Sequence, residues 1–233
     1  MPEEFHCGYI ALVGRPNTGK STLLNRILGQ KISITSRRPQ TTRHRVLGIK
    51  THDRAQLIYV DTPGMHAFSG RAMNRHMNRT ASSVLMDVDV VVFLVDGLSW
   101  TADDELVLKK LAAVQCPVIL AVNKVDLLDS PTVLLPGLQA LSEKREFAEI
   151  IPISAARGDN VPELEARIES LLPVSPPYFP EDQITDRSER FLVAELVREK
   201  LFRKLARELP YGLTVEIESF VREPGIVHIH ALI

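Results

Sequence analysis

The chain has 233 residues, 45% hydrophobic and 24% charged, which suits a soluble globular protein of one large domain or one domain plus a smaller one. A formal net charge of −1 excludes a whole-chain basic field for nucleic acid, so any such contact must come from a local patch. The longest apolar run, residues 88–95, is interrupted by Asp89 and is too short to span a bilayer, and the start Met1-Pro2-Glu3-Glu4 lacks a signal pattern.

Cys7 and Cys116 lack metal-type spacing and read as reduced core thiols. The expectation is a cytoplasmic protein, with peripheral contact at the inner membrane left open. Residues 8–13 are a short apolar run of the kind a buried parallel strand shows. Gly14-Arg15-Pro16-Asn17-Thr18-Gly19-Lys20-Ser21 follows and fits G-x-x-x-x-G-K-[ST], a loop that cradles phosphates. Successive backbone N–H groups there form an anion nest, and the next helix adds partial positive charge at its N-terminus. Gly14 and Gly19 permit the turn, Lys20 supplies a full charge to the β- and γ-phosphates, and Ser21 offers a hydroxyl to Mg2+. Asn17, Thr18 and Thr22 complete the cradle. Residues 22–28 have helical apolar spacing and stop at Gly29.

Residues 30–45 are polar, carry Arg37, Arg38, Arg43 and Arg45, and read as a mobile loop. Strands at 45–50 and 55–60, joined by Thr51-His52-Asp53-Arg54, form an antiparallel hairpin. Residues 71–86 read as a helix and 88–95 as a buried strand. Thr101 can cap a helix running to about 114, with Asp103, Asp104 and Glu105 in its first turn. A strand at 117–122 and a helix at 133–147, disturbed by Pro136 and Gly137, come next. A strand at 149–153 ends at Ser154, and Asn160, Pro162 and Glu163 make a capped start for a helix to 172. Strands alternating with helices imply a mostly parallel sheet covered on both faces, with ligands at the carboxyl ends of its strands.

Residues 173–180, rich in proline, read as a stiff linker. Residues 189–209 form a helix with apolar Leu192, Val193, Leu196, Val197, Leu201 and Leu205. Its charged positions, including Arg198, Lys200, Arg203, Lys204 and Arg207, suit solvent or RNA equally. Strands at 213–221 and 226–233 meet at Glu223-Pro224-Gly225.

Two further motifs gain meaning from position. Asn123-Lys124-Val125-Asp126 follows the strand at 117–122, on the sheet edge that carries the phosphate loop. A carboxylate there accepts two hydrogen bonds from the N1–H and exocyclic amine of guanine, a pair that adenine lacks. Asn123 braces the loop, the Lys124 stem lies along the base, and Ser154-Ala155-Ala156 puts a backbone N–H near the guanine carbonyl oxygen. Asp61-Thr62-Pro63-Gly64 sits where Asp61 can hold Mg2+ through water and the Gly64 N–H can sense the γ-phosphate. Thr41 and Thr42 each offer a hydroxyl to Mg2+ and an N–H to the γ-phosphate. Thr42 is favoured, without separating the two.

These stretches, with Pro39-Gln40-Thr41-Thr42-Arg43-His44-Arg45, resemble the translation-factor-type GTPases and more closely the bacterial Era family. The resemblance covers the whole chain. It implies a doubly wound, mostly parallel six-stranded α/β sheet with one antiparallel edge strand (residues 1–173), a linker (174–185) and a partial α+β KH-type domain (186–233). It implies GTP hydrolysis to GDP, with Lys20, Thr42 and Gly64 at the reacting phosphate and Ser21, Thr42 and Asp61 around Mg2+. It also implies binding of 16S rRNA and a role in small (30S) ribosomal subunit assembly. No G-x-x-G, the KH loop that grips RNA, is present. The expectation is a chain truncated within that domain, whose own RNA binding is in question.

Met65 stands where many related GTPases carry a water-orienting Gln, and a thioether cannot orient water strongly, so hydrolysis should be slow. His66 and the loop arginines are alternative contributors. Asn17 suggests a K+ ion beside the phosphates. Competing readings are an ATPase or P-loop kinase, a nucleotide-gated module without catalysis, and a related GTPase acting in tRNA modification or large-subunit assembly.

Overall fold

A computed structural model describes residues 4–36, 41–65, 81–128, 130–205 and 213–233. His66 and most of the helix expected at 71–86 lie outside them. Residues 81–84, at its end, are helical.

Six strands form one sheet: β1 (His6–Val13), β2 (Val46–His52), β3 (Ala55–Asp61), β4 (Val90–Asp96), β5 (Val118–Asn123) and β6 (Glu149–Ile153). Their order is β2-β3-β1-β4-β5-β6, with β2 antiparallel to β3 and the other pairs parallel. The period-two alternation of β4 divides its side chains between two cores. Val91, Phe93 and Val95 enter one, while Val90, Val92 and Leu94 enter the other.

Helices α1 (Lys20–Leu28), α2 (Ala102–Leu111), α3 (Leu134–Ser142) and α4 (Val161–Leu171) cover both faces. Leu23, Leu24 and Ile27 of α1 join Leu164 and Ile168 of α4 on one side, and Val107, Leu111 and Leu141 lie on the other. Thr101 caps α2 through a reciprocal box with Asp104. The helix expected at 133–147 is shorter: α3 takes Pro136 and Gly137 into its first turn and ends at Ser142. Asn160 does not cap α4 with its side chain, as expected from sequence. Its backbone is left-handed (φ 55°) and its amide donates instead to Pro152 O at 2.8 Å.

The proline-rich stretch is strapped along the sheet. Phe5 and Cys7 exchange backbone bonds with Ser175 and Pro173, and the buried Gln56 side chain accepts from Tyr178 N at 2.8 Å and Phe179 N at 2.9 Å. Further on, Ile184 O accepts from Ile49 N at 2.9 Å, and Asp186 accepts from Leu47 N at 3.1 Å. These bonds cover the free edge of β2, which would otherwise invite another strand.

Helix α5 (Glu189–Lys204) follows, then a hairpin of β7 (Glu216–Glu223) and β8 (Ile226–Leu232). Its most buried residues are not the apolar row expected from sequence. In α5 they are Arg198, Glu199 and Phe202, which meet Lys31, Thr35, Thr41 and Arg43. No helix among the described residues is long and apolar enough to cross a membrane.

Candidate functional site

The carboxyl ends of the strands carry a cleft of about 840 Å³. Asn17, Gly19, Lys20, Ser21 and Thr22 line it together with Thr41, Thr42, Gly64 and Lys124. The phosphate loop leaves β1 and enters α1 through Gly19, whose backbone is left-handed (φ 101°). A Cβ at Gly19 would meet Asn123 Nδ2 at 2.2 Å, and one at Gly64 would meet the Pro16 backbone at 2.7 Å. The loop is thus pressed between the Asp61–Gly64 segment and β5, and both glycines are required by close approach.

Lys20 is buried, and its ammonium donates to Gly14 O at 3.0 Å and Arg15 O at 2.8 Å. Burial lowers its pKa to about 8, opposed by the nearby Asp61 charge and assisted by Arg15. A phosphate placed in the loop would give that amine the countercharge it lacks.

Ser21, Thr42 and Asp61 converge. Ser21 Oγ lies 3.0 Å from Thr42 Oγ1 and donates to Asp61 Oδ2 at 2.7 Å. Asp61 is fully buried, and its Oδ1 has no hydrogen-bond partner among the described residues. Burial raises its pKa, against the hydrogen bonds from Ser33 and Ser21 and the Lys20 charge. Two hydroxyls and one under-satisfied carboxylate suit Mg2+, which prefers hard oxygens and takes its remaining ligands from phosphates and water. Of the two threonines, Thr42 is the one whose hydroxyl stands beside Ser21. The Thr41 carbonyl is held by Arg198 at 2.7 Å.

Asn123 joins the two halves of the cleft. Its amide donates to Thr18 O at 2.7 Å, and its oxygen accepts from Ala155 N at 2.9 Å. Ser154 N is taken by Asp159 O at 3.0 Å, so Ala156 supplies the N–H of this trio that a ligand carbonyl could use. Arg26 holds the Ala155 and Ala156 carbonyls from α1. Lys124 has a left-handed backbone (φ 66°), and its amine donates to Asp96 Oδ2 at 2.6 Å. Asp126 stands one turn further on, 3.6 Å from Arg157.

Met65 is fully buried and its N–H donates to Gly14 O at 3.2 Å. Its side chain packs in the core, in the cluster with Val13, Val60 and Phe93.

Sequence reasoning missed three groups. Ser33 donates to Asp61 Oδ2 at 2.7 Å. Asp104, fully buried, holds Arg15 Nε at 3.0 Å and so anchors the phosphate loop from α2. Glu199 of α5 binds Lys31 and accepts from Thr35 N and Oγ1, both at 3.2 Å. No motif marks Ser33 or Glu199. Asp104 was visible as a first-turn acid, but its arginine partner comes from another strand's loop.

A phosphate cradle and an Asn-Lys-x-Asp turn on one edge, tied together by Asn123, are the arrangement of P-loop GTPases. The sequence profile described as 50S ribosome-binding GTPase matches residues 9–124. The chain is 62% identical over 230 residues to GTPase Era of Marinobacter nauticus, covering 99% of this chain and 75% of that protein. An Aquifex aeolicus Era variant bound to GDP·AlF4− superposes with a TM-score of 0.92 at 38% identity, covering 97% of this chain and 78% of that one. Era in complex with MgGDPNP and nucleotides 1506–1542 of 16S ribosomal RNA gives the same TM-score, identity and coverage. The chain belongs to the Era family of GTPases.

Proposed function

We propose that the chain is a GTP-driven switch in assembly of the small ribosomal subunit, acting in the cytoplasm through 16S rRNA. The observation that carries this reading is the convergence of Lys20, Ser21, Thr42 and Asp61 in one cleft of a chain so similar to an Era protein held on 16S rRNA. In this reading Lys20 and the loop N–H groups hold the β- and γ-phosphates, and Gly64 N–H senses the γ-phosphate. Ser21 and Thr42 hold Mg2+ directly and Asp61 through water. The ion supplies charge neutralisation at the phosphate oxygens. Asp126 reads the N1–H and amine of guanine, Lys124 lies along the base, and Ala156 N–H meets its carbonyl oxygen. Asn17, in a left-handed turn (φ 64°), holds K+ beside the phosphates.

Single-turnover hydrolysis with and without 30S particles tests the switch. Stimulation by 30S is expected, and equal rates would contradict it. Rates should be higher in KCl than in NaCl, and equal rates would remove the K+ role alone. The 50S description of the matched profile supports a second reading, large-subunit assembly. Cosedimentation with GDPNP separates the two: pelleting with 30S supports the first and pelleting with 50S the second.

A further inference from the structure

We propose that Ser33 is a positioning residue for the Mg2+ site, aiming Asp61 from outside the recognised motifs. The inference rests on the guanine-nucleotide reading above. Asp61 Oδ2 accepts two hydrogen bonds, from Ser21 Oγ and Ser33 Oγ, each at 2.7 Å. Oδ1 has no hydrogen-bond partner among the described residues, so both donors load one oxygen and leave the other with its accepting capacity unused. The terminal torsion of an aspartate is broad and roughly two-fold, so a single donor would leave it loosely held.

The two donors differ. Ser21 belongs to the group that would bind the ion, whereas Ser33 stands apart from it. Ser33 is not among the residues that would bind the ion, so ion binding does not require its bond to Asp61 to break.

Ser33 is itself fixed. It is 3% exposed, and Asn25 of α1 clamps its backbone. The Asn25 Oδ1 accepts from Ile32 N at 2.9 Å and Ser33 N at 3.0 Å, and its Nδ2 donates to Ser33 O at 2.7 Å. The path from α1 through Asn25 and Ser33 to Asp61 ties the helix that starts at Lys20 to the strand end at Asp61. Residues that orient a ligand from behind typically change metal affinity 10–100-fold when removed.

The test is Mg2+ titration of the binding of GDP carrying a ribose fluorophore, with parallel binding in EDTA. Ser33→Ala should raise the Mg2+ midpoint about tenfold and leave binding in EDTA unchanged. Ser33→Thr, which keeps the hydroxyl, should restore the wild-type midpoint. Should the alanine variant fail to fold, Ser33→Cys keeps the volume, gives up the strong donor and should show the same rise. A wild-type midpoint in Ser33→Ala, or an equal shift in Ser33→Thr, overturns the inference alone. Absence of Mg2+-dependent GDP binding in the wild type overturns both this inference and the reading beneath it.

Discussion

Lys20 holds its charge in a largely desolvated place, 6% exposed at the cleft wall, and burial, its largest influence, brings its pKa to about 8. A bound phosphate favours the ammonium, so the bound-state pKa lies higher and binding takes up a proton between the two values. GDP affinity should be level below about pH 8 and fall above it, by up to about tenfold per unit. Calorimetry at about pH 9 in buffers of different ionisation heat should show proton uptake, and its absence would contradict the assignment. Met65 gives a second residue-scale expectation. It is fully buried, so Met65→Gln places an amide in the core rather than in the cleft. That variant should lose about 1–3 kcal/mol of stability in denaturant melts and hydrolyse GTP no faster. Faster hydrolysis would show that position 65 does reach the attacking water.

Helix α5 shows where local sequence and tertiary structure part. Its apolar row at Leu192, Val193, Leu196 and Val197 is only half-buried, while Arg198 and Glu199 are closed off. Periodicity counts apolar side chains and cannot register a carboxylate that is buried because Lys31, Thr35 and Arg203 satisfy it. Burial alone would raise the Glu199 pKa. The Lys31 and Thr35 hydrogen bonds and the Lys31 and Arg203 charges outweigh it and hold the carboxyl below its usual 4.5. A group with a lowered folded pKa stabilises above its unfolded value and loses that contribution as pH falls. Docking of α5 on residues 31–35 should therefore hold above pH 4.5 and loosen as pH falls below it. Hydrogen exchange of α5 amides against pH measures this, and protection unchanged into strong acid would contradict it. Glu199→Ala should expose α5 to proteolysis at neutral pH, since Lys31 and Thr35 lose their acceptor. Resistance equal to wild type would show that Phe202 packing alone holds the helix.

Across the whole molecule, what could be read from the chain was what repeats or what chemistry spaces tightly. The valine-rich β4 and the alternation of strands with helices foretold the sheet, and the short 51–54 connection foretold its one antiparallel pair. The phosphate loop, Asp61–Gly64 and Asn123–Asp126 follow the ends of β1, β3 and β5 and meet because a parallel sheet brings its carboxyl ends to one edge. Contacts between distant segments were hidden: Gln56 receiving the proline strap, Asp104 holding Arg15, and Asn25 setting Ser33 against Asp61. Each is a polar side chain buried by its partners, and nothing in its own neighbourhood announces the partner.

In the proposed function these strand ends enclose a magnesium-bound guanine nucleotide. Titration calorimetry of the chain with GDP and with ADP, both in Mg2+, tests it most directly. GDP should bind with measurable heat and ADP at least about a thousandfold more weakly, because an unpaired Asp126 carboxylate rejects adenine. Equal affinity for the two, or no heat from GDP, would contradict the account.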